Sequence, residues 1–305
     1  MGIKVLSLFD GISCGQVALN KLGVEVDKYY AYEIDEAAIE ITQYNYPNTI
    51  QGGDVYKADF TKHTDCDLLI GGSPCTYWSI AKAGDNRETT SSGIGFDLFM
   101  QYVRALIESK VKYFLYENNA SISKEIQKEI SKKLGVEPIE INSSIFSAQD
   151  RKRLYWTNIP HELIIPELID KNFSEESDLV FKDIEYPYDY REISFEKYKD
   201  TVKINYNDTI VYWDTSGKGN YSQQSRARKN TIKMNTVPAS GTDKNNIWLG
   251  EHTYRKIHPI EAERLQTLPD NYTSCLKSKT KRISCCGNGW TVDVIAFLLS
   301  FLFKG

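Results

Sequence analysis

The first half of the chain alternates short apolar runs with stretches of helical character. Lys4-Val5-Leu6-Ser7-Leu8-Phe9 reads as a buried strand running into Asp10-Gly11-Ile12-Ser13-Cys14-Gly15, and a helical stretch follows from Gln16 to Lys21. A second strand over Lys28–Tyr32 stops at Glu33-Ile34-Asp35, with a helix after it to about Tyr44. Gly53-Asp54-Val55 marks a third strand end, Asp67–Gly71 is a fourth strand, and Tyr113–Tyr116 is a fifth, ending at Glu117-Asn118-Asn119. Strands alternating with helices predict an α/β fold with a doubly wound, mostly parallel, Rossmann-like sheet. Each polar cluster follows a strand, on the edge where such sheets bind ligands.

Beyond Pro160 the pattern changes. Residues 161–250 are rich in Tyr, Asn, Asp, Ser and Lys with little helical period, which predicts a smaller, β-leaning inserted domain. Helical period returns at 251–268, and Val292–Phe303 is a last apolar element, so the large domain is expected over 1–160, completed by 251–305. Charge is uneven along this half: 161–200 holds twelve acidic and five basic residues, 201–250 seven basic and three acidic, and 251–305 eight basic and five acidic. The net charge of −4 therefore does not exclude a polyanion partner, because distribution outweighs the sum. A solvated basic face is the other reading of that charge.

At 305 residues the chain can bury a full core. The longest apolar run, Val294–Phe303, is too short to span a membrane, and the first residues lead directly into a strand rather than a signal peptide. Six cysteines include no Cys-x-x-Cys pair, so a zinc site is not expected, and reduced thiols in a cytoplasm are.

Gly71-Gly72-Ser73-Pro74-Cys75-Thr76-Tyr77-Trp78-Ser79 is the most informative stretch. A lone cysteine is by default a small buried hydrophobe. Here a strand, two glycines and a proline place one thiol at the carboxyl edge of the sheet, which favours a nucleophile. On the neighbouring edge, Phe9–Gly15 carries only Gly11 and Gly15 of a dinucleotide fingerprint, and turn punctuation explains them equally well. Glu33 lies where a carboxylate can accept from both ribose hydroxyls, Asp54 where one can accept from an adenine amine, and Phe9 or Ile34 could cover the base. Helix N-capping is the alternative for both carboxylates. No lysine-bearing phosphate loop is present, so a nucleoside without phosphates fits better than a triphosphate, and S-adenosylmethionine is the common one.

Six motifs then fall in a known order: Leu6-Ser7-Leu8-Phe9-Asp10-Gly11, Gly72-Ser73-Pro74-Cys75, Glu117-Asn118, Gln149-Asp150-Arg151-Lys152-Arg153, Glu261-Ala262-Glu263-Arg264-Leu265-Gln266 and Gly287-Asn288-Gly289-Trp290-Thr291-Val292. Together they resemble the DNA (cytosine-5)-methyltransferases of bacterial and phage type, over about residues 4–160 and 251–303, with a first motif close to the form in animal de novo enzymes. Thr76 and Asn119 depart from the usual Gln and Val beside the nucleophile and the Glu-Asn motif.

The resemblance implies a methyltransferase using S-adenosylmethionine and releasing S-adenosylhomocysteine. Its catalytic residues would be Cys75, which adds to carbon 6 of a flipped cytosine; Glu117, at ring nitrogen 3 and the exocyclic amine; Arg153, at the base carbonyl; and Arg151 in support. The cofactor residues it implies are Phe9, Asp10, Gly11, Ser13, Gly15, Glu33, Ile34, Asp54, Val55, Ser73, Pro74, Asn288, Gly289 and Trp290. It makes 161–250 a target-recognition domain and Trp78–Phe96 a loop that closes over the base, with Ser79, Arg87, Lys218, Arg226, Arg228, Lys229, Thr236 and Val237 on double-stranded DNA. No metal and no membrane are expected, the chain is expected to be a cytoplasmic monomer, and a cognate restriction endonuclease is a candidate companion. A transfer-RNA methyltransferase would carry a Cys-Phe-Thr tripeptide absent here. A catalytically inactive DNA-binding relative is opposed by intact Cys75, Glu117 and Arg153.

Overall fold

A computed structural model describes residues 2–78, 87–161, 190–192, 202–204, 210–213, 226–229, 233–237, 239, 246–250 and 253–303. The chain divides into two compact units, one of residues 1–143, 152–164 and 292–305, the other of 144–151 and 165–291.

The first unit contains a seven-stranded sheet. In chain order its strands are β1 (Ile3–Leu8), β2 (Val26–Tyr32), β3 (Ile50–Gln51), β4 (Leu68–Gly71), β5 (Tyr113–Asn119), β6 (Ile139–Asn142) and, after the two-residue β7 (Gln149–Asp150) of the other unit, β8 (Lys152–Thr157). Their spatial order is β3-β2-β1-β4-β5-β8-β6. The first five run parallel, whereas β8 lies antiparallel between β5 and β6. Parallel strands covered on both faces read as unbroken apolar runs, and Leu6, Leu8, Leu68, Leu69 and Ile70 are all fully buried. At the end of β4, a Cβ on Gly71 would sit 2.6 Å from the Leu8 carbonyl oxygen, so only glycine lets β1 and β4 close there.

Helices α1 (Cys14–Lys21), α2 (Glu36–Asn45), α3 (Ile94–Ser109) and α4 (Lys124–Leu134) connect these strands. Two have side-chain N-caps, Asp35 for α2 and Ser123 for α4. Phe99, Tyr102, Tyr116 and Trp156 form a fully buried aromatic chain, with Tyr116 4.8 Å from Tyr102 and 5.8 Å from Trp156 between ring centroids.

The second unit holds a six-stranded sheet of β9 (Tyr190–Glu192), β10 (Val202–Ile204), β11 (Ile210–Trp213), β12 (Arg226–Lys229), β14 (Asn246–Gly250) and β15 (Thr253–Lys256), in the order β10-β11-β12-β14-β15-β9. β13 (Met234–Asn235) instead pairs in parallel with β7. Helices α5 (Pro259–Leu265) and α6 (Lys279–Asn288) complete it. The helical period expected from 251 therefore starts later. Residues 253–256 pair with both β14 and β9, and the helix begins where His258 caps it and Pro259 takes its first turn. Residues 253–291 fall in the second unit and 292–303 in the first. Glu263, 0% exposed, accepts from the Asn271 and Thr273 amides at 2.7 and 3.0 Å and from Arg282 Nη2 at 2.9 Å, locking α5, the turn after it and α6 together. Glu263→Ala leaves Arg282 only the Thr273 hydroxyl and two backbone amides without their acceptor, and it is expected to lower the free energy of unfolding by about 3–5 kcal/mol. A urea titration checks this; a loss under about 1 kcal/mol would match an exposed ion pair instead.

Residues 279–303 together have the length and apolarity of a membrane span, with half of the stretch buried. They form two helices, α6 and α7 (Val292–Phe303), broken at Gly289-Trp290-Thr291, and twelve residues fall short of the roughly 20 that a span needs. Asp293 of α7 pairs with Lys21 of α1 at 2.6 Å.

Candidate active site

The turn after β4 carries the thiol. Pro74 precedes a single helical turn, Cys75–Tyr77, and leaves Cys75 partly exposed. Buried Ser73 fixes the loop, since its hydroxyl lies 2.6 Å from the Tyr116 hydroxyl and its carbonyl accepts from Asn118 Nδ2 at 3.1 Å. Asn118 Nδ2 also reaches the Tyr116 hydroxyl at 3.2 Å. Tyr116 thus spends its ring on the core and its oxygen on the cysteine loop, and burial pushes its hydroxyl well above the ordinary value, so it stays protonated. Residues 116 and 118 share one face of β5, and Glu117 takes the other.

Glu117 is buried and accepts an ion pair from Arg153 Nε at 3.0 Å. The register explains the pair. Glu117 faces Tyr155 and Asn119 faces Arg153, so the two charges are diagonal neighbours across the β5–β8 ladder. Arg153 Nη1 donates to the Lys152 carbonyl at 2.8 Å. Arg151 does not join this pair. It is buried in the second unit, where its guanidinium donates to the carbonyls of Gly287 at 3.2 Å and Gly289 at 2.9 Å.

After β1 the backbone turns through three left-handed residues at alternate positions, Phe9, Gly11 and Ser13, with φ of 55°, 58° and 55°. Left-handed Phe and Ser are costly and persist only when their surroundings hold them. Asp10 supplies the hold, because its carboxylate accepts from the hydroxyls of Ser7 at 2.6 Å, Tyr29 at 2.7 Å and Ser13. Glu33 completes it by accepting from Gly11 N at 2.8 Å and from the Ile34 and Asp35 amides at 2.7 and 2.8 Å. Gly15 stands on α1, where a Cβ would collide with the tip of the Ile70 side chain. Asp54 caps the short turn Val55–Lys57 by accepting from Tyr56 N at 3.0 Å, and Val55 is buried.

Burial, offset in part by the hydroxyl donors and reinforced by Glu33, pushes the Asp10 carboxyl up to about 6. Between pH 4 and 6 the folded protein therefore holds a proton that the unfolded chain has lost. The stabilisation this group gives is complete below about pH 4 and gone once the pH passes 6. Urea denaturation of wild type and Asp10→Asn across that window is expected to show the difference between them growing toward acid; parallel curves would refute it.

Of the residues expected on DNA, Ser79 and Lys218 lie outside the described residues, as do 79–86 of the expected closing loop. Arg87 donates from Nε to the Trp78 carbonyl at 2.9 Å and from Nη2 to that of Ser121. Arg226, Arg228 and Lys229 lie on β12. The Thr236 hydroxyl donates to the Asp150 carbonyl at 2.8 Å, and buried Val237 donates its amide to Gln149 Oε1 at 2.8 Å. Asn288 is exposed at the end of α6, Gly289 is buried and Trp290 half-buried. Sequence reasoning did not single out Tyr116, Tyr29 or Ser7. Their signal is a hydroxyl within an otherwise apolar, buried stretch of strand.

Across residues 3–304 the chain matches the family described as C-5 cytosine-specific DNA methylase. The chain belongs to that family. Among curated relatives, it is 33% identical over 176 residues to the orphan methyltransferase M.Rho11sI of Bacillus phage rho11s, covering 53% of this chain and 34% of that one. It is 25% identical to the type II methyltransferase M.FnuDI of Fusobacterium nucleatum over 98% of this chain and 93% of that one. The match thus spans only 34% and 39% of the length of two phage relatives, M.Rho11sI and M.SPRI. The methylase fold is shared with S. pombe Dnmt2 methyltransferase (TM-score 0.62, 18% identity, 99% and 98% of the two chains) and with the Entamoeba histolytica methyltransferase EhMeth (TM-score 0.70, 14% identity, 100% and 98%).

Proposed function

We propose that this chain methylates carbon 5 of cytosine in a short sequence of double-stranded DNA, with S-adenosylmethionine as methyl donor. The observation that carries the reading is the end of β5. Asn118 holds the loop of a partly exposed thiol, Cys75, and the adjacent Glu117 carries a carboxylate paired with Arg153. Burying two charges costs several kcal/mol each and seldom repays itself in stability, so chemistry is the better account of that pair.

The chain's residues suit the donor. Glu33 keeps acceptor capacity beyond its three backbone amides, the exposed side chain of Ile34 (73%) offers an apolar face for a purine, and Gly11 has nothing within 4 Å of a Cβ position. With Phe9, Ser13 and Asp54 these would hold the nucleoside. When bound, S-adenosylmethionine supplies an electrophilic methyl group. Cys75 Sγ bonds to carbon 6 of the cytosine, which makes carbon 5 nucleophilic. Glu117 holds a proton at ring nitrogen 3 and takes the exocyclic amine, while Arg153 steadies the carbonyl oxygen as charge gathers there. Once carbon 5 has taken the methyl group, leaving S-adenosylhomocysteine, a base removes the carbon 5 proton and the carbon–sulfur bond breaks, returning the thiolate. The base must leave the duplex, which costs a few kcal/mol.

Incubation with cofactor labelled in its methyl group is expected to label unmethylated duplex DNA. Duplexes of varied sequence and transfer RNA are the acceptors to compare. Label only in RNA would move the substrate class, and label in neither would overturn the reading. DNA carrying 5-fluorocytosine, which blocks loss of the carbon 5 substituent, is expected to trap a covalent adduct; binding without an adduct would indicate an inactive DNA-binding relative. A cytoplasmic enzyme beside a cognate restriction endonuclease fits the type II relatives, and bisulfite sequencing of host DNA reads the modified site.

A further inference from the structure

Around the turn that follows β1 runs a buried chain of hydroxyl and amide groups that the chemistry above does not use. Thr49 comes from the loop before β3, Gln16 from α1, Thr42 from α2 and Ser13 from the turn itself, and each is at least nine-tenths buried. Gln16 Nε2 donates to the Thr49 hydroxyl at 2.8 Å and to the Ser13 hydroxyl at 3.2 Å. The Thr42 hydroxyl has two acceptors in reach, Ser13 Oγ at 3.2 Å and the Gly11 carbonyl at 3.3 Å. Ser13 passes its own proton to the Asp10 carboxylate.

A serine hydroxyl carries one proton and two lone pairs. With Gln16 and Thr42 on the lone pairs of Ser13, its proton is directed to Asp10, which holds the left-handed turn over Phe9, Gly11 and Ser13. Left-handed Phe and Ser need such support from outside the turn. Gly11 is also held on both sides. Its amide donates to Glu33 at the end of β2, and its carbonyl faces Thr42 on the helix that follows. The position of its absent Cβ stays clear of any atom within 4 Å. Four buried polar side chains are a costly way to pack two helices, and valine or leucine would pack them without that cost. A use beyond packing accounts for them better.

We propose that Thr42 and Gln16 are positioning residues for the methyl donor, holding Ser13 and through it the turn at Phe9–Ser13 in the shape that receives the nucleoside. The inference rests on the S-adenosylmethionine reading above. Neither residue touches the donor. Each acts through Ser13, and Thr42 acts also through the Gly11 carbonyl.

The test uses the full chain and calorimetry with S-adenosylhomocysteine. Thr42→Val keeps the side-chain shape and removes the hydroxyl, and it is expected to weaken affinity about fivefold to tenfold, the scale of a lost buried hydrogen bond. Thr42→Ser keeps the hydroxyl and gives up a buried methyl group, so it should lose stability yet bind within about twofold of wild type. A purely structural role would make affinity follow melting temperature across the pair, whereas a positioning role separates the two. In turnover, Thr42→Val should raise the KM for S-adenosylmethionine by the same factor, with kcat moving less. Gln16→Leu is expected to act in the same direction, and it serves as the second variant if Thr42→Val does not fold. Unchanged affinity in a folded Thr42→Val protein, or in Gln16→Leu where only that one folds, would overturn the proposal. A loss in Thr42→Ser equal to that in Thr42→Val would overturn it too. A wild-type chain that binds no S-adenosylhomocysteine would instead overturn the cofactor reading, and this inference with it.

Discussion

Cys75→Ser is expected to lower methyl transfer by about 10⁴-fold or more while leaving S-adenosylhomocysteine affinity within a few-fold of wild type. Serine keeps the shape of the turn but exchanges the thiol for a hydroxyl that is rarely ionised near neutral pH and is a poorer leaving group. The loop should survive the change, because its anchors are Ser73 and Asn118 rather than the sulfur. Filter binding with labelled cofactor and calorimetry with S-adenosylhomocysteine read the two quantities separately. Equal loss of both would make Cys75 a packing residue and end the nucleophile assignment.

Glu117→Gln is the second large effect expected, a fall in turnover of about 10²–10⁴-fold, the usual share of a general acid. The amide preserves volume and can still meet Arg153, but it cannot hold and return a proton. Melting temperature should therefore move little while the pH profile of turnover flattens. A variant with near-wild-type turnover would reduce the Glu117–Arg153 contact at 3.0 Å to a strand-end staple.

How much of this was legible depends on how far apart in sequence the cause lies. Strands β1, β2, β4 and β5 were readable because buried parallel strands are continuous apolar runs, and their ends named the edge carrying Phe9, Glu33, Cys75 and Glu117. The alternative meaning of Asp54 was readable too, and it does cap a turn as well as standing at that edge. The start of α5 was not, since Thr253–Lys256 has its partners at 190–192 and 246–250, and only that pairing makes it a strand. Nor was the fate of Arg151 visible. Residues 149, 151 and 153 share a two-residue period, yet Arg151 spends its guanidinium on carbonyls at 287 and 289 and Arg153 on Glu117. Asp10 follows the same rule, because its donors Ser7 and Tyr29 come from two different strands.

The diagonal meeting of Glu117 and Arg153 has a bearing on which insertions this gene could accept. The charges meet only while Asn119 stays opposite Arg153, and adding a single codon between Arg153 and Tyr155 would rotate the guanidinium to the far side of the sheet. Codons added at the left-handed Gly135 that ends α4 would lengthen a turn and leave that ladder untouched. A library of random insertions should thus find a permissive hinge at 135 and a silent zone around 153–155, a map drawn by hydrogen-bond registry alone.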